Sequence, residues 1–372
     1  MRVSRMRYLA NRGIGMSVTT SHRHRRVAES RSAVSLQQAR LPRWTPPVLA
    51  LVAVGAGCGI GLGAGLDSTI QWGLIAALVF IFGTYALTAA VEGARQAKDR
   101  LATSMVWIAF LLAVVPLASL LWETVARGSK VLDGYFLSHS MGTLPDAMPG
   151  GGIYHAIIGT LEQVGLATLI AAPIGLLTAI YLVEYGRGKL ARVVTFFVDV
   201  MTGIPSIVAG LFILSVWILI LGFGPSGFAG SMALAILMMP VVVRSTEEML
   251  KLVPNELREA SLALGVPKWR TILKVVLPTS IGGITTGVML AIARITGETA
   301  PVLLLVWGAK TINNNPFEGA QQSLPLYVFQ QWQQGSDASY DRAWAAALVL
   351  IAFVMILNLV ARGIARWKAP KH

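Results

Sequence analysis

The chain has 372 residues, of which 55% are hydrophobic and only 13% charged, with a mean hydropathy of +0.64 and a net charge of +13. A soluble domain carries about twice that charged fraction, so an ordinary water-soluble globular fold is excluded. The single cysteine, Cys58, rules out a disulfide framework, and the five histidines show no metal-ligand spacing.

Residues 1–46 are basic, Ser-rich and without apolar periodicity, which predicts a disordered cytoplasmic tail. Eight apolar runs follow, at 48–66, 70–91, 105–122, 164–183, 200–223, 227–243, 281–307 and 343–361. Runs of roughly 18 to 25 residues can each cross a bilayer as a helix. The first lacks a small-x-small cleavage site and reads as an anchor, not a signal peptide. The expected fold class is therefore all-α, a polytopic membrane protein of eight transmembrane helices. Its expected divisions are the tail 1–46, two N-terminal helices in 47–103, and a transmembrane domain in 104–372.

In the first run, Gly55 to Gly65 alternate with other residues and superficially offer the Gly-x-Gly pattern of a nucleotide loop. No strand precedes them, so that reading fails its context. Gly55, Gly59 and Gly63, four apart, instead suit close helix contact in lipid. No Gly-x4-Gly-Lys-Ser/Thr phosphate loop occurs. Any ATP that drives this protein is hydrolysed by another chain.

With the N-terminus inside, 26 of the 31 Lys and Arg residues fall on inner segments. The outer segments hold only Arg127, Lys130, Lys310 and Arg342. Positive charge favours the cytoplasmic side, so both termini are expected there. A seven-span topology would place one terminal cluster outside. The same distribution, with attraction to anionic lipid, explains the net charge without nucleic acid.

Between the sixth and seventh runs lies a polar helix-turn-helix, Pro254 to Pro278. Pro254 suits the start of a helix, Gly265 the position past its end, and Pro267 the opening of the next. Leu257, Ala260 and Leu264 share one face. The result is a stiff, small-residue knob flanked by Lys251, Lys268, Arg270 and Lys274, suited to a socket on a partner.

Charges within the membrane are the strongest site candidates. Arg294 lies 13 residues into its run, about 20 Å deep at 1.5 Å per residue. An arginine at that depth costs roughly 2.5–3.5 kcal/mol and should face a partner or a watery path. Glu298 is spaced to share its helical face. The two form a structural pair or line the route of a charged solute, and these readings are compatible. A carboxylate can hold an arginine in place while weakening its grip on a passing anion.

Arg244 closes the sixth run four residues after Pro240, a position that also suits a topogenic arginine snorkelling to the interface. Asp199 and Glu162, near run ends, read as interfacial. Pro173, Pro205 and Pro301 interrupt other runs, and Gly203 to Gly210 reads as a closely packed segment or a plain kink. The outer segment 308–341 contains Leu324 to Trp332, either an aromatic interfacial anchor or a contact for an external protein.

Arg258-Glu259-Ala260-Ser-Leu-Ala-Leu-Gly265, followed by Leu277-Pro278, resembles the EAA loop of bacterial ABC importer permeases, with Ser261 in place of the second alanine. Gly203-Ile-Pro205-Ser206-Ile-Val and Ala291-Ile-Ala-Arg294-Ile-Thr-Gly297-Glu298-Thr-Ala-Pro301 further resemble the phosphate permeases of the PstA type. The resemblance covers about residues 104–372. It implies a six-helix core of the type I, MetI-like kind, with 254–278 as the coupling loop. Leu257, Glu259, Ala260 and Gly265 would then engage an ATPase, and Arg244, Arg294 and Glu298 the path of inorganic phosphate. The implied partners are a PstC-like second permease, a PstB-like ATPase dimer and an external PstS-like phosphate-binding protein, all at the plasma membrane. No catalytic residue and no metal or cofactor are expected in this chain, since ATP and Mg would sit on the ATPase. A permease for molybdate or sulfate is the alternative, and a secondary transporter or channel a more distant one. The two N-terminal helices lie outside the common core.

Overall fold

The computed structural model describes residues 40–368; most of the expected disordered tail lies outside them. All regular structure among the described residues is helical, with one isolated bridge between Trp307 and Gln321. The chain divides into two compact units, up to Val115 and from Pro116. That division and the expected boundary at 103/104 both fall within one long helix.

The first unit contains α1 (Thr45–Gly63), α2 (Thr69–Val91) and the start of α3 (Ala94–Gly128). A side chain at Gly57 would meet the Trp72 carbonyl at 2.6 Å, and Gly61 lies against the Trp72 ring. These approaches let α1 and α2 pack as an antiparallel hairpin. The glycine contact is thus shifted by two residues from the expected one. Nothing among the described residues comes within 4 Å of the Cβ positions of Gly55, Gly59 or Gly63. Alternating glycines give two faces, and the one containing Ala53, Gly57 and Gly61 is buried. Glu92 accepts hydrogen bonds from Leu41 N at 2.6 Å and from Arg100 at 3.0 Å, joining the entry of α1 to α3.

The second unit follows with α4 (Gly134–Ser138), α5 (Tyr154–Ile180), α6 (Lys189–Gly203), α7 (Ser206–Ile213) and α8 (Gly227–Lys251). Next come α9 (Asn255–Ala263), α10 (Lys268–Thr271), α11 (Leu277–Thr296), α12 (Ala300–Val306), α13 (Leu324–Gln334) and α14 (Asp337–Lys368). π-Helical turns at Tyr181–Tyr185, Leu214–Ile220 and Ile272–Val276 extend α5 and α7 and lead into α11. Among the described residues seven helical stretches are long and apolar enough to cross a membrane. The pair α6 and α7, bent by 107°, makes an eighth if counted as one span.

Two expected spans are therefore broken, each at a proline. Ile204, before Pro205, is extended (ψ 126°), because the proline ring disfavours helical backbone in the preceding residue. In the seventh span the helix ends at Thr296 and resumes at Ala300, with Pro301 in its first turn. Pro173 and Pro240, by contrast, lie inside continuous helices.

Helix α8 is by far the most buried of the candidate spans. Ala233, Met238 and Val242 pack with Ala167 and Ala171 of α5, Ala291 and Ile295 of α11, and Val302 and Leu305 of α12. Gly175 of α5 abuts Val242, while Gly283 and Gly287 of α11 abut Met249 and Ser245. Small residues permit this close backbone approach where lipid offers no hydrophobic drive to association. A second cluster joins Phe136, Met141, Ile153, Leu324 and Tyr327 to Ala345 and Ala346 of α14. Tyr327 is thus interior, so the Leu324–Trp332 stretch is a docked helix with Trp332 left at its exposed edge.

Candidate functional site

The knob forms as the sequence implies. Pro254 immediately precedes α9, and Gly265 follows it in the left-handed region at φ +76°. No residue of α9 is buried; Glu259, Ala260 and Gly265 are exposed, Leu257 is 42% exposed and Leu264 is 83% exposed. An apolar face left uncovered on a rigid turn is a surface for another protein.

Arg258 points inward from this knob. It donates from Nη2 to the Leu250 carbonyl at 2.9 Å and from Nη1 to the Val253 carbonyl at 2.6 Å. These carbonyls lie at and just past the end of α8, and that of Leu250 also accepts from Val253 N at 3.3 Å. Its Nε and Nη2 each lie 3.0 Å from Oε1 of Glu184, whose side chain is 6% exposed. Lys268 of α10 donates to the Glu184 carbonyl and lies 4.9 Å from the centre of the Tyr185 ring.

Arg244 lies two turns before the end of α8. It pairs with Asp199 of α6 and, at 2.7 Å, with Glu247, which also accepts from Lys251 at 2.6 Å. A cleft of ≈ 540 Å³, lined by Leu182, Gly186, Arg192, Thr195 and Glu247 among others, opens beside this network. Asp199, read as interfacial from sequence, is therefore the partner of a path candidate.

Arg294 occupies the last turn of α11 and is exposed, with no hydrogen bond or ion pair among the described residues. The expected i, i+4 pairing with Glu298 does not form. The Gly297 amide turns back onto the Arg294 carbonyl, and Glu298 follows the helix end. The antiparallel register set by Gly283–Met249 and Gly287–Ser245 places Arg294 level with Met238, near the middle of α8. Along α8, Arg244 and Arg294 are about 9 Å apart.

On the opposite end of the second unit, Arg342 is 1% exposed. It donates to the carbonyls of Asp146, Met148 (2.7 Å) and Gly150 (3.1 Å) and to Gln331 at 2.8 Å. Asp146 pairs with Lys310 at 2.7 Å. Sequence reasoning counted Arg342 and Lys310 only as outer charges.

Residues 171–371 match the family model described as binding-protein-dependent transport system inner membrane component. The chain belongs to that family. Among this permease's relatives, the phosphate transport system permease protein PstA 1 of Mycobacterium tuberculosis H37Rv is 50% identical over 269 residues, 72% of this chain and 87% of the relative. The PstA protein of Yersinia pestis is 40% identical over 275 residues, 72% of this chain and 90% of the relative. A solved methionine ABC transporter in an inward-facing conformation matches 59% of this permease and 96% of its own chain, at 21% identity and TM-score 0.50. A bacterial alginate ABC transporter matches 72% and 95%, at 16% identity and TM-score 0.52. At these identities the two structures support the fold alone.

Proposed function

We propose that this permease is the membrane-spanning subunit of an ATP-driven importer that carries inorganic phosphate inward. The observation that carries the reading is the 50% identity over most of the chain to a phosphate transport permease. The unpaired arginine at mid-depth fits it, because a guanidinium replaces part of phosphate's hydration with a two-pronged contact. Arg294 meets the anion at mid-membrane. Arg244, already shared between two carboxylates, binds it more weakly on the cytoplasmic side and favours release.

The exposed α9–α10 knob, with Leu257, Glu259, Ala260 and Gly265, docks into an ATPase chain that binds ATP and Mg. A second permease completes the path, and an external binding protein delivers phosphate. Both termini lie in the cytoplasm and the complex in the plasma membrane. This chain itself makes and breaks no covalent bond. ATP-dependent uptake of labelled phosphate by the reconstituted complex is the test, with sulfate and molybdate as competitors. Preferential uptake of either competitor would reassign the solute, and uptake without an ATPase would reject the importer class.

A further inference from the structure

We infer that Glu184, Arg258 and Lys268 form a clamp that passes motion of the docking knob into the transmembrane helices, making Glu184 and Arg258 positioning residues for transport. The inference rests on the reading of α9 and α10 as the ATPase contact.

The knob has two covalent exits, α8 before it and α11 after it. Neither leads to α5 or to its π-helical extension, whose Glu184 lies 74 residues before Arg258. The clamp supplies that third connection. Arg258 reaches from α9 to the Glu184 carboxylate, and Lys268 reaches from α10 to the carbonyl of the same residue. Both arms of the knob thus grip the π-helical turn that extends α5. The same guanidinium holds the carbonyls of Leu250 and Val253, so one side chain joins α5, α8 and α9.

Burial makes the link stiff. The side chains of Arg258 and Glu184 are 15% and 6% exposed, where water competes little for the hydrogen bonds. Five donors in a planar fork fix the angle as well as the distance, which a flexible ammonium would not. The outer face of α9 is left free for its partner. Beyond the clamp, α5 and α8 pack closely, with Gly175 against Val242. A displacement of the knob therefore moves both helices as a pair, and α8 carries Arg244. The turns beside the clamp, Tyr181–Tyr185 and Ile272–Val276, are both π-helical. Such turns recur at functional sites, and here they flank the point where motion enters.

The test uses the full reconstituted complex and measures phosphate taken up per ATP hydrolysed, alongside copurification of the ATPase. Glu184→Gln removes the charge but keeps the size. It should leave copurification and ATP hydrolysis intact while lowering uptake per ATP about tenfold. Arg258→Lys keeps a cation without the fork and should fall between wild type and Glu184→Gln. Should Glu184→Gln accumulate poorly, Glu184→Asp keeps the charge but shortens the reach, and the same fall in uptake per ATP is expected of it. Wild-type uptake per ATP in an assembled Glu184 variant would overturn the inference. Loss of the ATPase would overturn it too, since the clamp would then only shape the docking surface. Leu264→Asp tests the docking reading separately: a complex that keeps its ATPase after that change would reject the knob as the contact, whatever the Glu184 variants do.

Discussion

Arg294 and Glu298 stand four residues apart, yet the α11 helix ends between them and leaves the arginine exposed without a counter-charge among the described residues. Arg244, for which no partner was expected, carries two carboxylates instead, Asp199 and Glu247. The two arginines thus differ in kind: Arg294 has no such partner, while Arg244, about 9 Å further along the axis of α8, is neutralised.

Because the Arg294 side chain makes no hydrogen bond or ion pair among the described residues, Arg294→Gln is expected to insert and accumulate normally while phosphate uptake is abolished. Arg294→Lys should also fail substantially, since an ammonium lacks the planar fork. Glu298→Gln should leave abundance unchanged, because no ion pair is lost. Quantitative immunoblots and labelled-phosphate uptake check all three. Normal uptake by Arg294→Gln at wild-type abundance would remove this residue from the path.

Asp199→Asn frees Arg244 from one of its two carboxylates. The pair is substantially exposed, at 32% and 58% for the two side chains, so its loss should change stability by no more than about 1 kcal/mol. Transport should respond more. Arg244 gains affinity for the anion, so turnover falls while bound phosphate is retained longer, as read by single-turnover release. Faster turnover would show that Asp199 does not weaken the hold on phosphate.

Gly265→Val places a β-branched side chain at φ +76°, where only glycine is unstrained. The space around it is open, so the penalty is in the backbone alone. The turn between α9 and α10 should distort, and ATPase copurification and uptake should both drop. Retention of both would show that the knob is not the docking element.

The membrane-spanning architecture was largely legible because lipid imposes long apolar runs. The breaks at Ile204 and after Thr296 were marked in advance by Pro205 and Pro301, but Pro173 carried the same mark and lies inside a continuous helix, so proline alone did not tell a break from a tolerated position. The long polar extension of α3 was missed because Ala94 to Thr103 is polar, and span prediction ends where apolarity ends. Of the site, Arg294 and the knob were visible as local anomalies, a charge in an apolar run and a polar break between two such runs. The Asp199–Arg244 pair joins residues 45 apart and the Glu184–Arg258 pair residues 74 apart. Only the packing of α5, α6 and α8 brings them together, and no local pattern marks such a pairing.

Topology follows from the charge split between segments. Single cysteines introduced in 92–103 and 125–156, in a chain with Cys58 replaced, should label from opposite sides with an impermeant thiol reagent. Equal labelling from outside would reject the assignment of both termini to the cytoplasm.

Asp146 supplies a pH signature at the end of the second unit that holds Arg342. Burial raises its carboxyl pKa, but hydrogen bonds from Lys310 and Gln331 and the charges of Lys310 and Arg342 outweigh this and leave it below the ordinary 3.8. A carboxyl lowered in the folded state contributes stability that is present above 3.8 and lost as pH falls through the lower folded value. Protection of residues 142–152 from hydrogen exchange should therefore persist as external pH falls to 3.8. Lys310→Ala removes the largest stabilising partner and lets burial dominate, so protection should fail at higher pH. Arg342→Met should act differently, because it removes the buried side chain that donates to the carbonyls of Asp146, Met148 and Gly150. Its cost is on the order of 3 kcal/mol at neutral pH, seen as a lowered melting temperature of the purified complex. If Lys310→Ala leaves the pH of lost protection unmoved, the Asp146–Lys310 pair does not hold this loop.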